Sequence, residues 1–494
     1  MNEPAAKPAT KPRGLRRRHV LVGVGAAAGG LAITKALGLY NLPSQSAGQT
    51  QSPTAAGVDW ISPLDKPEAQ VAHLLRRATF GATPTEYQQS IKDGFKNTVD
   101  RLIETKASEP PALAGADDAT QDKPIKPQEL IGCWLDWMLR TPTPFAERMT
   151  FFWHGHFTSD FRKVNLQTPF IYWQNLTWRR MSLGNLHDML YQVTIDPGML
   201  RYLDLGTSTG KNPNENYSRE LMELFTMGVG TFTEDDVRAG AKALSGWREP
   251  VTQAMYDALV KRAQEQGRQA PRNVTPDTVK TGVFEQQRAY AGAVKFLGET
   301  RQWDTKSALE KILAQDSVAP FIVTNVLREF VTDQPSDDHV KRLADSFRKS
   351  RYDTKSLMRD VFMSPEFVAP TSYRALVKSP TELMFHMAKA LEAPALAKAI
   401  GLAGQGMGQL LFDPPEVGGW PSNASWISSN NVLERVNFAQ TTLTGMAKIP
   451  AFKDAHTTHL DGVVSPATAQ LLNSSPDDAT RWLILLASPE FQLK

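Results

Sequence analysis

Apolar residues recur at three- and four-residue spacing through almost the whole chain, and period-two alternation with β-branched residues is scarce. A 3.6-residue period gathers such residues into one stripe per helix, and each stripe must be buried against another. The pattern therefore predicts a mainly α fold. It should be a large multi-helical domain with irregular Pro/Gly/Trp-rich loops and at most a minor β-hairpin. Helices are expected near 65–78, 128–140, 144–154, 168–181, 184–194, 214–227, 234–246, 307–314, 317–331, 338–349, 354–363, 378–392 and 430–446. Thr83-Pro84-Thr85-Glu86 reads as a further helix start. The Ser-Pro-Glu-Phe strings at 364–367 and 488–491 each mark a helix end and a turn. With 41% hydrophobic residues among 494, the chain can bury a real core. Its single cysteine, Cys133, excludes an internal disulfide and any multi-cysteine zinc or iron–sulfur site.

The first 46 residues are set apart by charge. They hold Lys7, Lys11, Arg13, Arg16, Arg17, Arg18 and Lys35 against Glu3 alone, a net of +6; the whole chain is +3, which leaves −3 for everything after them. A slightly acidic body without a basic block argues against nucleic acid as a partner. Arg17-Arg18-His19-Val20-Leu21, followed by a weakly apolar run to Thr34, reads as a twin-arginine-type export signal. The alternatives are an ordinary secretory signal or an uncleaved anchor. The expectation is a protein exported to the periplasm or beyond, with no stable membrane span beyond the signal. In outline, residues 1–46 are the signal, 47–64 a linker and 65–494 the helical body. That body has possible halves 65–250 and 291–494 around an inserted loop or hairpin at 251–290.

Three strings carry residue types suited to chemistry. In FFWHGHFTSD (151–160), Gly155 reads as a helix stop flanked by His154 and His156. Two imidazoles so spaced on extended chain can share a metal ion, whereas a histidine in a last helical turn is equally suited to free carbonyls there. In NPNENYSRELMELFTMGVG (212–230), Asn216, Glu220 and Glu223 form a polar stripe beside the apolar Tyr217, Leu221 and Leu224. Two carboxylates three residues apart repel unless a cation, a proton or an arginine intervenes. Otherwise the stripe is a solvated face, with Glu215 complementing the helix start and Arg219 pairing with Glu223. In LLFDPPEVGGWPSNASWISSN (410–430), the Pro and Gly residues enforce a stiff irregular loop. It carries Trp420 and Trp426, either as a ligand wall or as a staple to the core. No Gly-x-Ser-x-Gly elbow, phosphate loop or His-Glu-x-x-His pair is present.

Together with HLLRRATFGATP (73–84), YLDLG (202–206), ALSGW (243–247), KFLG (295–298) and KSPTEL (378–383), these strings resemble, in the same order, the domain-of-unknown-function family 1800. The resemblance runs from about Asp65 to the end. It implies an exported, largely helical bacterial protein whose gene commonly neighbours a second exported family related to sulfatases and alkaline phosphatases (domain of unknown function 1501). Two departures stand out. Gly155 replaces an asparagine common between the two histidines. Gln286-Gln287-Arg288-Ala289-Tyr290 lacks a His-Asp pair that many members carry before the Phe-Leu-Gly motif.

The leading expectation is a polar site in which His154, His156, Glu215, Glu220 and Glu223 converge. His154, His156, Glu215 and Glu220 would hold a divalent zinc, manganese or iron ion. Glu220, Glu223 and His154 would act in metal-assisted hydrolysis of an envelope or extracellular substrate. Asn214, Asn216, Trp420 and Trp426 would contact the ligand. Two other readings stand beside it: a non-catalytic scaffold or partner subunit for an exported protein of the 1501 family, with the carboxylates pinned by Arg76, Arg77, Arg148 or Arg219, and a carbohydrate-binding protein using the tryptophan loop.

Overall fold

The computed structural model describes residues 60–269 and 272–494. The expected export signal and most of the linker lie outside the described residues. Within them the chain is 58% helical, with twenty-three α-helices and two small antiparallel sheets. The helices that position the site are α1 (Pro67–Ala78), α2 (Pro127–Arg140), α3 (Pro144–His156), α4 (Phe170–Met181), α5 (Asn216–Glu220), α6 (Gln253–Glu265), α7 (Val318–Phe330), α8 (Pro380–Ala390) and α9 (Ser429–Gly445). One contiguous apolar core draws on residues from Leu74 to Phe491. No helix among the described residues is long and apolar enough to cross a membrane.

Helix starts follow their local chemistry. Helix α8 opens on a capping box: Ser379 Oγ accepts from Glu382 N–H, and Glu382 Oε2 accepts from Ser379 N–H, with Pro380 at the first helical position. Thr83 and Glu86 make the same reciprocal pair. Strands β1 (Trp247–Arg248) and β2 (Val283–Phe284) pair antiparallel, as do β3 (Val294–Phe296) and β4 (Glu299–Arg301).

Two expectations need correction. The stretch 251–290 was expected as a loop or hairpin, yet it contains α6, which starts on a Thr252 cap and buries none of its residues. A helix without a buried stripe leaves no apolar period to read. Gly155 does not end α3 either. The helix runs through it to His156, and Phe157 N–H closes the last turn on the Trp153 carbonyl.

Candidate functional site

That extra turn decides what the two histidines do. At 100° per residue, side chains two apart on a helix diverge by about 200°, so His154 and His156 leave α3 on different faces. His154 is buried, edge-on to Trp134 and beside Phe412 and Trp420. Its Nε2 accepts the Phe412 backbone N–H at 3.1 Å, which uses the lone pair there and places the ring proton on Nδ1. Burial drives its pKa down to about 3. His156 stacks on Phe152, and its Nε2–H donates to the Phe225 carbonyl at 2.9 Å, so its lone pair is on Nδ1. Burial, partly offset by that carbonyl, brings its pKa to about 4. Both rings are neutral at pH 7, in opposite tautomers.

Phe225 belongs to a π-helical segment, Leu221–Thr226, that continues α5. Met227 N–H reaches back five residues to the Met222 carbonyl, and Thr226 Oγ1 donates to the Leu221 carbonyl. Helix widening of this kind frees carbonyls near its end, and His156 takes one of them. The segments around His156 and Leu224 are thus packed together, as the sequence suggested. The carboxylates of the second string are not gathered with the imidazoles. Arg219 pairs with Glu234 at 2.7 Å and more loosely with Glu215 at 3.4 Å, rather than with Glu223. Asn214 Oδ1 caps Asn216 N–H, and Asn216 Nδ2 donates to Asp204. Glu220 is half-buried; burial and the Glu223 charge raise its pKa against the pull of Arg219. Among the described residues, no three or more His, Cys, Asp or Glu side chains are arranged to hold a metal ion. With the His154 Nε2 lone pair given to an amide, the expected His/Glu ligand set does not fit a zinc, manganese or iron centre.

The third string does reach His156. Its loop is fastened to α3 along its length: Phe161 N–H donates to the Phe412 carbonyl, and Thr158 Oγ1 donates to the Val417 carbonyl at 2.6 Å. At Gly419 (φ +92°) a Cβ would stand 2.5 Å from the Gly155 carbonyl, so only glycine fits. Trp426 is buried against Val377 and Leu493, while Trp420 keeps part of its face open.

Between this loop, the end of α3, α7 and the start of α8 lies a cleft of about 340 Å³. Its apolar walls include Phe152, Phe321, Trp420 and Trp426. His156, Asn423, Glu329, Glu382 and Lys494 supply polar lining. Gly155 presents bare backbone there, since a Cβ on it would meet nothing within 4 Å.

Two donors on residues that line the cleft have no acceptor: the buried Trp420 Nε1 and the buried Asn423 Nδ2. The Asn423 amide is oriented by its other end, where Oδ1 accepts Val377 N–H at 2.8 Å. Asn423 is only 7% exposed and holds a left-handed backbone (φ +48°), a conformation asparagine tolerates better than most residues. Buried donors without partners are uncommon, because each costs about 1–3 kcal/mol.

Below them sits an ionic cluster. Arg148 Nη2 donates to Glu329 and, at 2.7 Å, to Glu382; Lys494 Nζ is hydrogen-bonded to Glu382 and stands 3.6 Å from Glu329. Burial alone would raise the pKa of Glu382, but Lys494 and Arg148 outweigh it and hold the group ionised well below the usual range. Burial lowers the pKa of Lys494 in spite of Glu382 and Glu329. Sequence reasoning named Arg148 only as a possible clamp and missed Asn423, Glu329, Glu382 and Lys494. The capping box at Ser379 gave Glu382 a sufficient local explanation, which concealed its second role.

The chain belongs to the family described as protein of unknown function DUF1800, whose model matches residues 73–493. No curated protein and no solved structure matches it significantly.

Proposed function

We propose that this DUF1800 protein is an exported binding protein. Its ligand is an oxygen-rich ring compound of the carbohydrate type, held in the cleft beneath the 412–426 loop. The observation that carries this reading is the pair of buried, unpartnered donors, Trp420 Nε1 and Asn423 Nδ2, on two residues of the cleft lining, with the Trp420 indole partly open. Such donors call for acceptor oxygens, and an aromatic face suits the apolar side of a sugar ring. The cleft volume matches a ligand of one or two rings. The loop is held to His154 of α3 and to Thr158 just after it by hydrogen bonds, so little ordering remains to be done on binding.

Hydrolysis is less well supported at this place. Glu382 and Glu329 share one guanidinium, and Glu382 is held ionised, so it is not a proton donor near neutral pH. His156 remains a neutral acceptor through Nδ1, suited to a sugar hydroxyl.

The test is a titration of intrinsic tryptophan fluorescence with a panel of neutral and acidic oligosaccharides. Saturable change is expected in the wild type. Trp420→Phe, which keeps a ring and deletes the N–H, should weaken the affinity about three- to tenfold. No saturable change with any member of the panel would overturn the reading.

A further inference from the structure

The unsatisfied groups around the cleft are all of one kind. Besides Trp420 Nε1 and Asn423 Nδ2 of the lining, the fully buried Arg148, bonded to the lining residues Glu329 and Glu382, leaves Nε and Nη1 without partners, and the buried Arg77 does the same. Arg77 feels Glu329, Glu382 and Arg148, and the buried Arg435 feels Glu382. Against the two carboxylates stand Arg77, Arg148, Arg435 and Lys494, with Arg328 exposed at the rim. Buried charge is tolerated when it is paired, and here Glu382 and Glu329 supply that pairing to Arg148 and Lys494.

Glu329 occupies a particular place in this arrangement. Unlike Glu382, which is fixed by its capping box and nearly inaccessible, the Glu329 side chain is 29% exposed and lines the cleft. It has no backbone donor of its own among its hydrogen bonds and serves Arg148 and Lys494 from the open side. A carboxylate so placed stands where the charge of a bound ligand would lie.

Resting on the binding role proposed above, we infer that the ligand is an anionic sugar. Its uronate carboxylate or sulfate ester would meet Lys494 and Arg148 at the position Glu329 now fills, with its ring under Trp420. Glu329 then acts as an internal competitor that keeps the cations compensated while the cleft is empty and swings aside when the ligand's oxyanion arrives. Recognition is selective because a neutral sugar cannot displace it. Arg328 at the rim favours approach of the same charge.

The experiment is calorimetric titration of the full chain with three probes of matched length: trigalacturonate, a sulfated κ-carrageenan oligosaccharide and neutral galactotriose. At least one anionic probe is expected to bind ten or more times tighter than the neutral one, with affinity falling as salt rises. Which anion wins identifies carboxylate or sulfate as the source of the charge. Glu329→Gln should tighten the anionic probe severalfold and leave the neutral one unchanged, whereas Arg328→Gln on the exposed rim should weaken the anionic probe a few-fold. Equal binding of neutral and anionic probes would overturn this inference while leaving the carbohydrate reading intact. Tighter anion binding that Glu329→Gln weakens or leaves unaltered would also overturn it. Binding of none of the three would remove both.

Discussion

Glu147 and Arg148 are consecutive residues of α3, both fully buried, and each is half of an ion pair. Glu147 faces a sealed region. Arg179 grips it with two bonds of 2.8 Å, and the indoles of Trp134 and Trp137 donate to the same two oxygens. Arg179 in turn donates to Asn175 Oδ1, so every guanidinium nitrogen is bonded although Asn175 Nδ2 is not. Arg148, one position on, lies over the rings of Phe80, Phe151 and Phe330 behind the cleft wall, shares a single nitrogen between the cleft-lining Glu329 and Glu382 and leaves Nε and Nη1 without a hydrogen bond. The two pairs have the same helix, burial and charge types but opposite degrees of completion. Completed networks fix a fold, and incomplete ones beside a cavity mark where something else belongs.

The largest effect should come from breaking the completed pair. Glu147→Gln leaves the Arg179 guanidinium buried without its counter-charge and should cost about 3–5 kcal/mol, read as a fall in the denaturant midpoint. A loss below 1 kcal/mol would mean that the sealed network is not what holds α3 to α4.

Acid probes both sides of the same helix. His154 and His156 have folded pKa values near 3 and 4, below the ordinary value of about 6.5 that they regain on unfolding. Their contribution is therefore complete above pH 6.5 and is lost as pH falls toward the folded values, at about 2 kcal/mol per ring by pH 5. The denaturation midpoint should decline steadily below pH 6.5, and His154→Gln should make that decline shallower by about one proton. An unchanged slope would show that His154 titrates normally.

Smaller still is the effect on folding of opening the incomplete pair. Glu329 is partly exposed, and Arg148 and Lys494 keep Glu382, so Glu329→Gln should change stability by less than about 1 kcal/mol. A loss as large as that of Glu147→Gln would erase the distinction between the two regions. The smallest change is expected at Glu220, which neither lines the cleft nor carries an ion pair. Glu220→Gln should stay within about 0.5 kcal/mol and leave ligand affinity alone, as checked by the same denaturation and fluorescence titrations.

How much of this was legible follows from distance along the chain. Helices were readable because their signals are local, as at Thr83-Pro84-Thr85-Glu86 and Ser379-Pro380-Thr381-Glu382. The three strings meet in the fold, since the first and third are hydrogen-bonded to each other and the first and second meet at His156 and Phe225. The atoms were misjudged. Gly155 reads as a stop because glycine usually is one, but here its missing Cβ leaves room in the cleft and the helix runs on to His156. The glutamate stripe suggested chemistry by charge density, yet Arg219 and Glu234 account for part of it locally. The cluster that lines the cleft joins Arg148 to Glu329 across 181 residues and Glu382 to Lys494 across 112, and no local pattern signals such partners.

The most direct test of the cleft as the functional site is the affinity of Asn423→Asp for the oligosaccharide that the wild-type chain binds. Aspartate tolerates the same left-handed backbone and retains the oxygen that accepts Val377 N–H, so the loop should stay folded, as checked by its melting temperature. The unpartnered amide donor is lost and a carboxylate oxygen stands in its place. At least a tenfold rise in Kd is expected, and an unaltered Kd in a folded variant would mean that the cleft is not the binding site.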